Sequence, residues 1–215
     1  FTRTLNLASQ ELPAVRSTMP KLVCGFTLIE LIVSISIITA LLSVVVFSFR
    51  NSSARLSLSA SAQEIAIAIR QAQVYGLSVK GALTATAPAD FIYGYGAYFN
   101  PVTSPSDYYV YADKDSSTGN GTYDVGSGCG SGSTECVEKF SLRDGIKITK
   151  VCQTVSGAET CAPAGSTSLD IKFKRPDSGA QIRVSLGGTV TSGLSKARIE
   201  LSAPTTSDTI SVIIE

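Results

Sequence analysis

The feature that most constrains this chain is an uncharged run from Leu31 to Phe49, in which large apolar residues occupy every face of a helix. At about 1.5 Å of rise per residue the run spans roughly 28 Å, close to the hydrocarbon thickness of a bilayer. A cleaved secretory signal would have a shorter apolar core and small residues at its cleavage site, and a half-exposed helix would have a polar face. The run therefore predicts one membrane-spanning helix.

The composition fits an anchored domain and not an enzyme. The chain has 215 residues, of which 44% are hydrophobic, and a formal net charge of +1. This length allows one globular domain plus an anchor. Histidine is absent, which excludes Ser-His-Asp and Cys-His nucleophile arrangements and His-ligated zinc. We therefore expect neither catalysis nor a cofactor.

The segment before this run carries the most specific pattern, Lys21-Leu-Val-Cys-Gly25-Phe26-Thr-Leu-Ile-Glu30. It combines a basic residue, a Gly-Phe junction, an acid five residues beyond the glycine, and the apolar run. The segment resembles the prepilin signature of type IV pilins and type II secretion pseudopilins. The resemblance implies that a prepilin peptidase cleaves between Gly25 and Phe26 and methylates the new amine of Phe26.

The resemblance also divides the chain into four parts. These are a leader at 1–25, a transmembrane and assembly helix at 26–50, its amphipathic continuation at 51–80, and a periplasmic or extracellular β-rich head at 81–215. Two positions remain open for the first residue of the translated protein. Met19 would give a seven-residue leader with Lys21 on the cytoplasmic side, as the positive-inside bias requires, whereas Phe1 would give a long leader.

The helix is expected to continue beyond the membrane, from Phe26 to Lys80, because no proline interrupts residues 50–80 and Gly81 is a suitable stop. Apolar or small residues recur there at alternating spacings of four and three, which predicts a face packed on a sheet. They are Leu58, Ala62, Ile65, Ile69, Ala72 and Gly76. The segment from Ala60 to Gly76 is similar to the corresponding helix of minor pseudopilins of the GspH/FimT type.

Short β-branched and aromatic runs follow, separated by turn residues, and indicate an antiparallel sheet or small sandwich. They cover Ile92–Phe99, Tyr108–Ala112, Val137–Leu142, Ile146–Cys152, Leu169–Lys174, Ile182–Leu186, Ala197–Ser202 and Ile210–Ile214. In Leu169–Lys174 the alternation predicts one apolar and one solvated face. The predicted fold class is α+β, a long N-terminal helix packed on an antiparallel β head, as in pilins.

Four cysteines would remain after Cys24 leaves with the leader. Cys129 and Cys136 flank six residues, and Cys152 and Cys161 flank eight, which suits two short-loop disulfides in an oxidising compartment. Four cysteines allow three connectivities, of which we favour the two local pairs. A zinc site is the alternative, although it usually has Cys-x2-Cys spacing.

Three carboxylates, Asp113, Asp115 and Asp124, lie in a Gly-rich stretch that has some likeness to calcium-binding loops. The stretch lacks the glycine and the glutamate that an EF-hand has at its sixth and twelfth positions. Asp, Asn and Gly also satisfy turn geometry without any ion. We favour the turn and keep calcium as the alternative.

DNA capture is a second function class, because some FimT-type minor pilins are implicated in DNA uptake through basic residues. Lys172, Lys174, Arg175 and Arg183 are close in sequence, and the first two are expected on one solvated strand face, where they would contact phosphates. A lysine-protected strand face is the more common explanation of such a pattern.

The sequence as a whole favours a minor pilin or pseudopilin of the GspH/FimT type, with a major type IV pilin as the alternative. The expected partners are prepilin peptidase, other pilin subunits in a helical filament, an inner-membrane assembly platform, and lipid before assembly. Glu30 is the only charge between Phe26 and Phe49, and an unpaired carboxylate there is costly. The resemblance assigns it to pairing with the Phe26 amine of a neighbouring subunit; a side chain that only reaches to the membrane interface is the alternative.

Overall fold

The computed structural model describes residues 25–78, 81, 93–115, 120–124, 126, 128–129, 134–162, 167–204 and 207–215. Within them the chain forms one helix, α1 (Leu28–Leu77), and ten strands, which confirms the α+β prediction. The strands are β1 (Gly94–Asn100), β2 (Ser104–Asp113), β3 (Cys136–Ser141), β4 (Lys147–Val155), β5 (Ala158–Ala162), β6 (Thr167–Lys174), β7 (Asp177–Leu186), β8 (Thr189–Leu194), β9 (Lys196–Ser202) and β10 (Thr209–Ile214). The chain divides into two compact units, Phe1–Val45 and Val46–Glu215.

The start of α1 is set by Thr27, which acts as its N-cap. The backbone N–H of Glu30 donates to Thr27 Oγ1 at 3.4 Å, so one donor of the first turn is satisfied. The helix therefore begins at Leu28 and not at Phe26 as predicted. It ends at Leu77, before the predicted Lys80, which lies outside the described residues.

The second half of α1 buries one stripe of residues against the sheets of its own unit. The buried members are Leu58, Ser61, Ile65, Ala68, Ala72 and Gly76, at spacings of three and four. The predicted members Ala62 and Ile69 flank this stripe and are half-buried. At Gly76 the backbone of Phe173 lies so close that a Cβ atom would overlap its carbonyl oxygen. Gly76 therefore allows the end of α1 to approach β6 directly.

The strands form two antiparallel sheets. The six-stranded sheet has the order β3-β2-β1-β6-β7-β8, and the four-stranded sheet has the order β10-β9-β4-β5. The stripe of α1, the inward side chains of the six-stranded sheet and those of β4 and β9 share one apolar core. The eight predicted strands are present with shifted ends, and β5 and β8 were not predicted.

Candidate functional site

The Gly25–Phe26 junction lies immediately before α1 and outside regular secondary structure. The side chain of Phe26 is 78% exposed, and no described atom beyond the chain neighbours of Gly25 lies within 4 Å of the position of a Cβ there. The described residues of the predicted cleavage site are therefore accessible. Cys24 and the rest of the predicted leader lie outside the described residues.

The apolar span that follows, Leu28–Val46, has a mean hydropathy of 2.5 and none of it is buried within the chain. Its hydroxyl groups do not need water, because they donate to carbonyl oxygens of their own helix three or four residues earlier. Ser34, Ser36, Thr39 and Ser43 all do so, at 2.7–3.0 Å. The span therefore suits an environment of lipid or of other apolar helices.

Glu30 is the one charged residue in this span. Its side chain is exposed in the first turn of α1, where the helix dipole favours a negative charge. Among the described residues no basic group forms an ion pair with it. The carboxylate is thus placed beside the predicted cleavage point, three residues after the helix cap.

The comparisons with known proteins concern this same segment. The family model for the prokaryotic N-terminal methylation motif matches residues 21–46. The chain carries the type IV pilin and pseudopilin signature. No curated protein and no solved structure matches it. The signature indicates a pilin-like structural subunit and is consistent with membrane anchoring followed by assembly.

In the head of this pilin-like chain, the four cysteines form the two local pairs. One disulfide joins Cys129, in the loop before β3, to Cys136 at the start of β3. The other joins Cys152 and Cys161, which are directly opposite each other on β4 and β5. Arg198 on β9 lies over the second disulfide, with Nη2 at 3.4 Å and 3.6 Å from the two sulfur atoms.

Asp113, one of the three carboxylates of the calcium alternative, is fully buried and has partners within the protein. Its Oδ2 accepts the Lys172 ammonium at 2.7 Å and the Gly121 N–H at 2.7 Å, and its Oδ1 accepts the Asn120 N–H at 3.0 Å. Gly94 provides space for the lysine, since a Cβ there would lie 3.2 Å from Lys172 Cε. The cation that compensates Asp113 in this structure is therefore a side chain of the protein.

Two other acids, Glu135 and Asp170, bind the loop that follows β2. They hold its described residues on the outer face of the six-stranded sheet. Glu135 accepts the backbone N–H groups of Lys114 and Asp124, both at 2.8 Å. Asp170 accepts the N–H of Tyr123 at 2.9 Å. The loop after β2 is thus fixed by carboxylates that contact its backbone. Neither role could be predicted from the sequence, because hydrogen bonds between distant segments leave no local pattern.

The environment of these two acids changes their titration. Burial raises the pKa of Asp170 to about 7, although the Tyr123 N–H and the charge of Arg183 act in the opposite direction. Burial also raises the pKa of Glu135 to about 7, against the backbone N–H groups it accepts. Both groups therefore change charge near neutral pH.

The other calcium candidates, Asp115 and Asp124, are exposed. Carboxylate oxygens of Asp113, Asp115 and Glu135 lie within 4.8 Å of one another. The third acid of this group is therefore Glu135 and not the candidate Asp124. Although Asp115 is exposed, partial desolvation of its carboxyl and the neighbouring carboxyl of Asp124 raise the pKa of Asp115. The group fits a turn held by backbone hydrogen bonds, with Lys172 as its compensating charge.

The basic residues of the DNA-binding alternative do not share an exposed face. Lys172 was predicted on the solvated face of its strand, and this prediction is wrong, because the loop covers it and only 5% of it is exposed. Arg183 Nη1 donates to the Asn120 carbonyl oxygen at 2.7 Å. Lys174 and Arg175 lie at the turn between β6 and β7. Contacts with Asp113 and with the Asn120 carbonyl oxygen therefore occupy Lys172 and Arg183, which line one pocket beside Gly121.

Proposed function

We propose that this chain is a minor pilin or pseudopilin subunit of the GspH/FimT type. A prepilin peptidase cleaves it after Gly25, methylates Phe26, and leaves Leu28–Val46 as the anchor in the inner membrane before assembly. The observation that carries the proposal is an apolar span that no other described residue buries, and this span lies within the matched signature at residues 21–46. Such a span requires apolar neighbours from outside the chain.

Glu30 gives this proposal its assembly contact. A charge at this depth is stabilised by an opposite charge, and cleavage creates one at the amine of Phe26. In a filament the amine of one subunit pairs with Glu30 of its neighbour, which compensates both charges and sets the axial register. The other expected partners are the assembly platform and further pilin subunits, while the head projects into the periplasm or outside.

The test compares the incorporation of variants in a strain that also makes the wild-type chain. Glu30→Ala should enter the membrane and be cleaved after Gly25, but its share of sheared filaments or assembly complexes should fall. Ser36→Ala is the matched control, because this hydroxyl bonds only to the Ile32 carbonyl of its own helix. Normal incorporation of Glu30→Ala would show that Glu30 is not the assembly contact.

The abundance of the subunit separates the minor from the major role. In filaments sheared from cells, a minor subunit should be scarce relative to the principal pilin, since it occupies few positions. Quantitative mass spectrometry of such filaments measures this directly. A filament composed mainly of this chain would identify it as a major pilin.

A further inference from the structure

The edge strands of a sheet have unpaired backbone N–H and C=O groups, to which another strand can bind. The edge strands of this head differ in how well they are protected against such pairing. Among the described residues, β3 carries the exposed charges Glu138 and Lys139, and the five-residue β5 carries Glu159. The edge strand β8 contains Gly193 at a φ of 70° and pairs with β7 through a register shift. Charges, short length and bulges are the usual protection against further strand pairing.

The fourth edge, β10, has no such protection within its described residues. Its sequence from Thr209 to Ile214 has no charge, glycine or proline, and its register with β9 is continuous. The side chain of Ile213 is 54% exposed, and Ile210 and Val212 are only partly buried. A regular, uncharged and β-branched edge of this kind is a template for another extended strand.

We propose that β10 pairs antiparallel with β10 of a second copy of this chain, so that the two four-stranded sheets become continuous. A strand complements β10 best if it is also apolar with the same alternation, and β10 itself has this property. With Val212 opposite Val212 of the second copy, Ile210 lies opposite Ile214, and the core-facing residues of both copies remain on one side.

The charges at the two ends of β10 are compensated within each copy. At its start, Arg55 Nε lies 2.9 Å from Asp208 Oδ2, and at its end Lys196 pairs with Glu215. Antiparallel pairing brings the start of one strand beside the end of the other. In this register Asp208 lies on the face of Val212 and Glu215 on the face of Ile213, so the acids of the two copies project to opposite faces of the sheet and do not repel each other across the pairing. The contact requires neither cleavage nor Glu30, so it does not rest on the proposed function.

The test uses the full chain in detergent micelles. Light scattering over roughly two decades of protein concentration should detect a dimer, and amide exchange of residues 209–214 should slow as the dimer forms. Ile213→Lys places like charges across the pairing and should weaken self-association about tenfold or more. Val190→Lys is the matched control, because Val190 is 57% exposed on the other edge strand β8; it should leave the dimer unchanged.

The outcomes separate strand pairing from association through the apolar helix. A wild-type chain that stays monomeric, or exchange at residues 209–214 that does not depend on concentration, would overturn the proposal. A dimer that survives Ile213→Lys, or that is weakened equally by Val190→Lys, would also overturn it. If thermal unfolding shows that Ile213→Lys disturbs the fold, Thr209→Glu replaces it, because Thr209 is exposed on the same strand and the change would place a second acid opposite Glu215 of the other copy.

Discussion

The two halves of α1 belong to one continuous helix, yet their apolar residues have opposite surroundings. From Leu28 to Val46 no residue is buried within the chain. In the second half, Leu58, Ile65 and Ala72 are almost completely buried against the sheets of the head. Both halves carry apolar residues, but among the described residues only those of the second half are buried.

This difference shows which part of the sequence the folded chain accounts for by itself. The second half has the three-and-four spacing of a helix that covers a core on one side. The first half is apolar on every side, which the internal packing of this chain does not require. Its composition suits an apolar environment outside the chain.

Lys172→Met should destabilise the head by about 3–5 kcal/mol, because it leaves the carboxylate of Asp113 buried without its cation. Urea unfolding followed by far-UV circular dichroism measures the change, and membrane insertion should stay normal. Lys139→Met is the control, since its ion pair with Asp107 is largely exposed and contributes about 1 kcal/mol or less. Equal effects of the two changes would contradict the buried role of Lys172.

Ile37→Lys should make the free energy of membrane insertion less favourable by about 2.5–3.5 kcal/mol, because it places a charge in the apolar span. Ile67→Lys should change stability by less than about 0.5 kcal/mol. The pair is matched, because Ile37 is 55% exposed and Ile67 is 67% exposed. Alkaline extraction of membranes measures the fraction inserted. A similar loss for both variants would mean that the two halves do not differ in their environment.

Each disulfide should stabilise the head by about 2–3 kcal/mol, since it closes a short loop in the unfolded chain. Replacing Cys129 and Cys136 together by alanine, and in a second variant Cys152 and Cys161, tests them separately by urea unfolding. Insertion of the anchor should not change in either variant. Non-reducing peptide mapping that found free thiols at these positions would remove the basis of the prediction.

Asp170 and Glu135 should make the head more stable at mildly acidic pH than above neutral pH. Their pKa values in the folded state, about 7, exceed those of an unfolded chain, so the folded state binds more protons between these values. Their contribution to stability is therefore lost as the pH rises towards 7. The melting temperature should fall between pH 5 and pH 8, and Asp170→Asn should reduce this slope. A slope unchanged in Asp170→Asn would refute the assignment.

Local patterns were enough to predict the helix, its buried stripe and most of the strands. The apolar run and the Gly25–Phe26 junction act through neighbouring residues, so the sequence carries their signal directly. The helix α1 begins two residues later than predicted, because Thr27 caps it. Strands β5 and β8 were missed, since their residues are small or polar and lack clear alternation.

The arrangement of charges on the outer face could not be predicted from sequence. The alternation of Leu169–Lys174 placed Asp170 and Lys172 on a solvated face, and the pleat does put both on that outward side. Whether that side meets water depends on the loop after β2, which covers it and is held there by Asp113. A contact between segments so far apart in sequence is set by the tertiary fold alone.

The most direct test of the account is the N-terminus of the protein in membranes of a strain that has a prepilin peptidase. Intact-mass and N-terminal peptide analysis should find a chain that begins at N-methylated Phe26. Gly25→Ser should keep the upstream residues and remain in the membrane, because the peptidase must fit the residue before the bond. A mature wild-type chain that begins at Phe1, Thr2 or Met19 would contradict the assignment of this protein as a processed pilin-like subunit.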